Sequence, residues 1–367
     1  MKSPLAQELL DAIMGWEHAE FADKVQRLEA LATYKWDEYG NFRPGVKFFE
    51  SLAAWLDQFQ GGERSTALEF VLERLVFISD AEMAHLVELV YPDHMEPVLL
   101  DRVADSTGIS HYAVAQLVAH PEFQSLRRRS LILGASDGAR LDRLRRSAPV
   151  LSHEQFLQAS EPPGDLVDPM CRKLADGLSK LGLDAPVNFA HVFLVDDFAG
   201  SGETLLRHEK ENDDGPQVLK GKLLKLRDAL NRLTEEELLS PETEVTIILY
   251  VASQQAREHL EAMLPHANIA AWEVRIVQTL PSTIRVTSTD EAMAELSTRY
   301  YDDEVCTDEH KGKAPLGYGD CALPVVLSHN TPNNSICLLW ADTTDEQQSL
   351  KRRALFPRYE RHHRDRP

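Results

Sequence analysis

Hydrophobic and polar residues alternate in two different rhythms along the chain. Up to about residue 125, apolar residues recur three and four positions apart, as in SLAAWLDQFQ (51–60), STALEFVLERLVFIS (65–79) and AEMAHLVELV (81–90). That period places them on one face of a helix. Gly61-Gly62 and Pro92 punctuate these segments, and DSTGISHYAVAQLV (105–118) reads as a short helix–turn–helix pair around Gly108. Near residue 130 the rhythm changes to short continuous apolar runs: LILGAS (131–136), HVFLVDD (191–197), VTIILYVAS (245–253), EVRIVQTL (273–280) and LPVVLSH (323–329). Stretches of helical spacing separate them, among them DPMCRKLADGLSKLG, KGKLLKLRDALNRL and QQAREHLEAMLPH. Buried strands alternating with helices predict an α/β fold, a mostly parallel sheet covered on both faces and preceded by an all-helical N-terminal domain. The expected division is a helical accessory or interaction domain over 1–125, a sheet domain over 126–345 and a basic C-terminal tail over 346–367.

In such sheets ligands sit beyond the carboxyl ends of the strands. Polar residues gather there: Ser136-Asp137, Asp196-Asp197, Ser253-Gln254 and His329-Asn330. The richest of these ends is HVFLVDDFAGSGETLL (191–206). Glycines let a backbone approach an anion closely, and a helix predicted to start around Glu203 would add unpaired amides. Ala199, Gly200, Ser201, Gly202, Glu203 and Thr204 therefore predict a phosphate cradle. Asp196 and Asp197 suit a vicinal diol, or a Mg²⁺ held partly through water. A phosphate beside a diol describes a ribose 5-phosphate. The loop lacks the Gly-Lys-Ser/Thr of a P-loop and the third glycine of a dinucleotide fingerprint.

From Val192 to Thr204 the chain reads as four hydrophobic residues, two acidic, one hydrophobic, two variable, then Ser/Thr-Gly-x-Ser/Thr. This resembles the signature of the type I phosphoribosyltransferases, and the strand order over 130–340 suits their fold. The resemblance implies that Asp196 and Asp197 hold the ribose hydroxyls of phosphoribosyl pyrophosphate with Mg²⁺ as cofactor, while Ala199 to Thr204 hold its 5-phosphate. An earlier loop would bind the pyrophosphate. GASDGAR (134–140) is in the corresponding place, with Ser136, Asp137, Gly138 and the cation Arg140. Asn330, beyond the fifth run, is a further candidate ligand contact. The phrases LILGASDGARLDRLRRS, VDDFAGSGET and LSHNTPNNSICLLW also look like the phosphoribosyltransferase-like proteins of bacterial conflict systems, some of which accompany reverse transcriptases in retron-type anti-phage systems. That likeness implies a defence effector or effector component that transfers or hydrolyses at ribose C1. Purine-specific members often carry an Asp where this chain has Gly200. The alternative is therefore a non-catalytic module that senses a nucleotide or assembles with a reverse transcriptase and its nucleic acid.

Composition narrows the partners. The 367 residues carry a net charge of -20, which repels nucleic acid except at local basic patches. Two such patches stand out, Arg127-Arg128-Arg129 with Arg140, Arg143, Arg145 and Arg146, and the tail KRRALFPRYERHHRDRP. Each also fits a solvated helix face or a loose terminus. No apolar run is long enough to span a membrane, and the acidic amphipathic N-terminus lacks the apolar centre of a signal peptide, so a cytoplasmic protein without a membrane partner is expected. An oligomer is left open. Cys171, Cys306, Cys321 and Cys337 form no CxxC pair. Cys306, His310, Cys321 and His329 match no standard zinc spacing. Gly134-Ala135-Ser136-Asp137-Gly138 fits the hydrolase elbow G-x-S-x-G, with His329 as partner, but helices stand where that fold needs strands. Ser152-His153-Glu154-Gln155 reads as a capping box, which makes His153 structural.

Overall fold

A computed structural model describes residues 3–158, 167–210, 217–303, 306–308, 312–342 and 352–359. The chain forms two compact units, one of Met1–Glu82 with Pro281–Pro367 and one of Met83–Leu280.

The second unit is built on five parallel strands, β1 (Ser130–Gly134), β2 (Phe156–Gln158), β3 (Phe189–Ala199), β4 (Leu239–Ser253) and β5 (Glu273–Leu280), in the order β2-β1-β3-β4-β5. All five residues of β1 are buried, as are Val192 to Asp196 in β3 and Val245 to Ser253 in β4. Their runs lack alternation because layers cover both faces. Helix Val167–Lys180 buries Met170, Leu174 and Leu178, one residue per turn, and helix Lys222–Glu235 buries Leu223, Leu226, Leu230 and Leu233. These stripes pack with Leu131, Leu133, Leu194, Ile247 and Leu249 of the strands in one apolar core.

From β1 the chain crosses to β2 on one side, then returns to β3 on the other. The order reverses between β1 and β3, where doubly wound sheets open a crevice for ligands. The register deepens it. β1 stops at Gly134, opposite Val195, whereas β3 runs on against β4 to pair Ala199 with Ala252. Asp196 and Asp197 therefore stand inside a strand whose β1 side is bounded by a loop.

The first unit gathers helices Ser3–Met14, His18–Tyr34, Phe48–Asp57, Glu63–Glu73 and Glu291–Arg299 around a core that includes Trp55, Phe48, Phe70 and Leu339. Val76–Ile78 pairs in parallel with Val325–Leu327. The expected fifth sheet strand is thus half of a separate two-stranded ribbon, and the short Phe156–Gln158 takes the sheet's remaining place. Within 346–367 the described residues also depart from a loose tail. Leu355 and Phe356 are fully buried, and Phe356 stacks among Tyr39, Phe42, Phe48 and Phe77. The compact units consequently part at other positions than a serial division at 125 and 345. Among the described residues no helix is long and apolar enough to cross a membrane.

Candidate functional site at the end of β1 and β3

Five expected site residues, Ser136, Gly138, Arg140, Asp196 and Asp197, come together in the crevice. The Ser136 hydroxyl donates to Asp196 Oδ1, which also accepts the Asp197 amide at 3.2 Å. Asp197 Oδ1 accepts the Phe198 amide at 2.9 Å. Gly138 lies so close to Asp197 that a Cβ there would meet Cγ at 2.5 Å, so only glycine lets this loop close over the carboxylate. Asp137 is exposed in the short turn Asp137–Ala139. Arg140 follows with φ 48°, a left-handed conformation that costs a non-glycine residue about 1 kcal/mol. The Tyr250 hydroxyl donates to Ala139 O and so ties β4 beneath this turn. Its acidity is pushed far down by burial, then by the charges of Asp197 and Asp196, with Arg140 opposing. One field thus links both carboxylates and the guanidinium.

Asp196 is 5% exposed. Burial, reinforced by the neighbouring Asp197, raises its pKa above the usual carboxylate value, and Lys222 and Ser136 offset only part of this. Lys222 Nζ is 2.8 Å from Asp196 Oδ2. No motif in the sequence places this lysine in the site. Its arrival follows from a departure at Glu203, where the predicted helix does not begin. Leu205 and Leu206 both return their amides to Gly202 O in a single turn. The chain then runs into a strand, Arg207–Lys210, paired antiparallel with Gln217–Lys220. Only after this hairpin does the helix start, at Lys222. Gly221, at φ 140°, passes so near the loop that a Cβ would lie 2.8 Å from the Leu205 carbonyl carbon.

The loop itself is held from outside. The Ser253 hydroxyl donates to Gly200 O and accepts the Ala256 amide at 3.0 Å, capping the helix Gln254–Met263. His259 Nε2 donates to Leu206 O at 2.6 Å, and Gly202, at φ 79°, packs against the His259 ring. The first helical amides after the hairpin, Lys222 and Leu223, donate to Thr204 O and Leu205 O at 3.1 and 2.9 Å. The helix end expected to hold an anion therefore anchors the loop instead. Ala199, Gly200, Ser201 and Gly202 are buried, Glu203 is half-buried and Thr204 is exposed. Glu203 donates its amide to Ser201 Oγ at 3.3 Å. Among the described residues, the amides of Ser201, Gly202 and Thr204 have no protein acceptor. Buried amides are nearly always paired, and among the described residues those of Ser201 and Gly202 are left open by this turn.

A metal directly ligated by Asp196 does not fit this arrangement. Both its oxygens already accept protein hydrogens, and among the described residues no group of three His, Cys, Asp or Glu side chains is placed to hold an ion. The zinc candidate His310 lies outside the described residues. Asn330 is in the other unit. Its side chain accepts from Asn41 at 3.0 Å and donates to Tyr359 O at 3.1 Å. It does not lie beyond a strand of the five-stranded sheet, since Val325–Leu327 is not in that sheet. His329 belongs to the same unit as Asn330, and Ser136 to the other. The arginine patch is dispersed into structure. Arg128 is buried against Glu154 and Lys173 O, Arg129 holds Asn188, and Arg143 pairs with Glu88. The capping box at Ser152 and Gln155 is present, and Gln155 also ties Ser130 O and Arg127 O.

A reversed sheet order, two carboxylates at the switch point and a turn with open amides thus meet at the ends of β1 and β3. The family model named PRTase-CE matches residues 52–358, and the chain belongs to this phosphoribosyltransferase-like family. Nothing among curated proteins or solved structures matches it. The matched span begins within the N-terminal helices and takes in parts of both units.

Proposed function

We propose that this protein binds the ribose 5-phosphate portion of phosphoribosyl pyrophosphate, or of a related nucleotide, and transfers or hydrolyses the ribosyl group at C1. The observation that carries this reading is the buried turn whose Ser201 and Gly202 amides lack a protein acceptor, set beside Asp196 and Asp197. The turn receives the 5-phosphate and the carboxylates receive the ribose hydroxyls. With phosphoribosyl pyrophosphate as substrate, the C1–O bond breaks with its electron pair leaving on the pyrophosphate, a base nitrogen or water forms the new bond at C1, and the proton that this nucleophile sheds passes to solvent. Arg140, held in a strained conformation beside the carboxylates, neutralises the leaving group, so catalysis is mainly electrostatic. In this reading Mg²⁺ travels with the pyrophosphate and not on the protein.

The wider setting we propose is anti-phage defence in the cytoplasm, alongside a reverse transcriptase. It is supported by the sequence phrases that resemble conflict-system proteins. Gly200 favours a second reading, a sensor without turnover, because no acid stands there to serve a base.

Isothermal titration of the full chain with phosphoribosyl pyrophosphate and Mg²⁺ tests the ligand. Binding that is lost in Asp197→Asn is expected. Absence of binding, or equal binding by the variant, refutes the proposal. Pyrophosphate release separates enzyme from sensor.

A further inference from the structure

Lys222 holds a place in the crevice that the ligand reading alone does not explain. Two adjacent carboxylates at a buried site repel each other, and burial disfavours the charge of each. A diol clamp needs them ionised, so it needs a countercharge. A divalent metal is one source, but both Asp196 oxygens already accept protein hydrogens, Oδ2 from an ammonium that would repel a cation. A second source is already in place. The Lys222 ammonium reaches Asp196 Oδ2 at 2.8 Å, and its own backbone amide donates to Thr204 O at the end of the phosphate turn. Gly221 threads the chain close enough for both contacts. One residue thus fixes the acidic clamp by its side chain and the turn by its main chain. At 29% exposed, the side chain is also reachable from solvent.

We propose that Lys222 is a positioning residue that stands in for a divalent metal at the diol clamp, so that ribose 5-phosphate binds this protein without a metal. The inference rests on the ligand reading above and adds the nature of its countercharge. An ammonium on a chain segment tied to the turn holds Asp196 ready to accept a hydroxyl, with no ion to recruit.

The test is titration of ribose 5-phosphate into the full chain, in chelator and again in Mg²⁺. This probe lacks the pyrophosphate that would itself carry a metal. Affinities within about twofold in the two conditions are expected. Lys222→Met should weaken binding in chelator at least about tenfold, or 1.4 kcal/mol. Lys222→Arg, which keeps the cation, should stay within about fivefold of wild type, or 1 kcal/mol. Circular dichroism and thermal unfolding establish that each variant is folded. Binding by wild type only in Mg²⁺ overturns the proposal while leaving the ligand reading intact. So does wild-type affinity in Lys222→Met, or a loss in folded Lys222→Arg as large as that in Lys222→Met. No binding in either condition overturns the ligand reading and this inference with it.

Discussion

Gly138→Ala is the sharpest perturbation of the crevice. The added Cβ would sit 2.5 Å from Asp197 Cγ and closer still to Oδ2. An ordinary van der Waals contact starts near 3.4 Å, so about 1 Å must be found. Turning the carboxylate about its last bond does not help, because Cγ itself is struck. Either Asp197 changes its χ1 and surrenders the 2.9 Å bond to the Phe198 amide, or the loop lifts and strains the 3.0 Å turn bond from Ala139 to Ser136 O. Losing one such bond costs about 1 kcal/mol, and overpacking costs about 1–3 kcal/mol. The carboxylate also moves by about 1 Å, a displacement that can reduce turnover by about a hundredfold. Thermal unfolding with titration of ribose 5-phosphate reads both effects, and a loss of affinity of at least about tenfold is expected. Gly62→Ala, where an added Cβ meets nothing within 4 Å, is the control and should leave both measurements near wild type. Wild-type affinity and stability in Gly138→Ala would refute the placement of Asp197.

Two further predictions concern stability. His191 is buried between Thr246 and Arg102, and burial, aided by the Arg102 charge, lowers its pKa to about 3. Its unfolded form takes up a proton as pH falls below 6.5 while the folded form does not, so stability declines through that window by about 3 kcal/mol on reaching pH 4. Urea unfolding of His191→Gln should show a shallower acid slope, and an unchanged slope would contradict the assignment. Phe356→Ala should cost about 3–5 kcal/mol, because it empties a site ringed by Tyr39, Phe42, Phe48 and Phe77. A shift in the urea midpoint worth less than about 1 kcal/mol would return this segment to the surface.

What could be read beforehand was what local spacing encodes. The β1, β3 and β4 runs are continuous and apolar because they are buried on both faces, whereas β5 at the sheet edge buries only Ile276 and Leu280, and the carboxylates mark the strand that outlasts its neighbour. The strand over Phe156–Gln158 was illegible, since three residues carry no period. Val325–Leu327 looked like a sheet strand because burial alone decides its composition, and burial does not say against what. The helix at Glu203 was misplaced for a related reason. Gly-Ser-Gly permits a turn into either a helix or a hairpin, and the glycine that settles the path, Gly221, comes only after the hairpin closes. Lys222 was invisible to motif reading because 26 residues separate it from Asp196. Phe356 sat in a basic context that suggested solvent, and long-range packing overrode it.

The interleaving of the chain has a consequence for biosynthesis. Residues 83–280 are contiguous, so the parallel sheet can close while the remainder is still being made. The other unit must wait. Val76 finds Val325 only across most of the chain's length, and Phe48 finds Phe356 later still. Closing so long a loop is slow, though its entropic cost grows only logarithmically with length. Until translation passes Phe356, the early helices hold apolar stripes without their last partner, and nascent chains are there most exposed to aggregation and to chaperones. An expression fragment cut at residue 125 would sever the sheet unit, while one ending before residue 352 would leave the helical unit permanently at that unfinished stage.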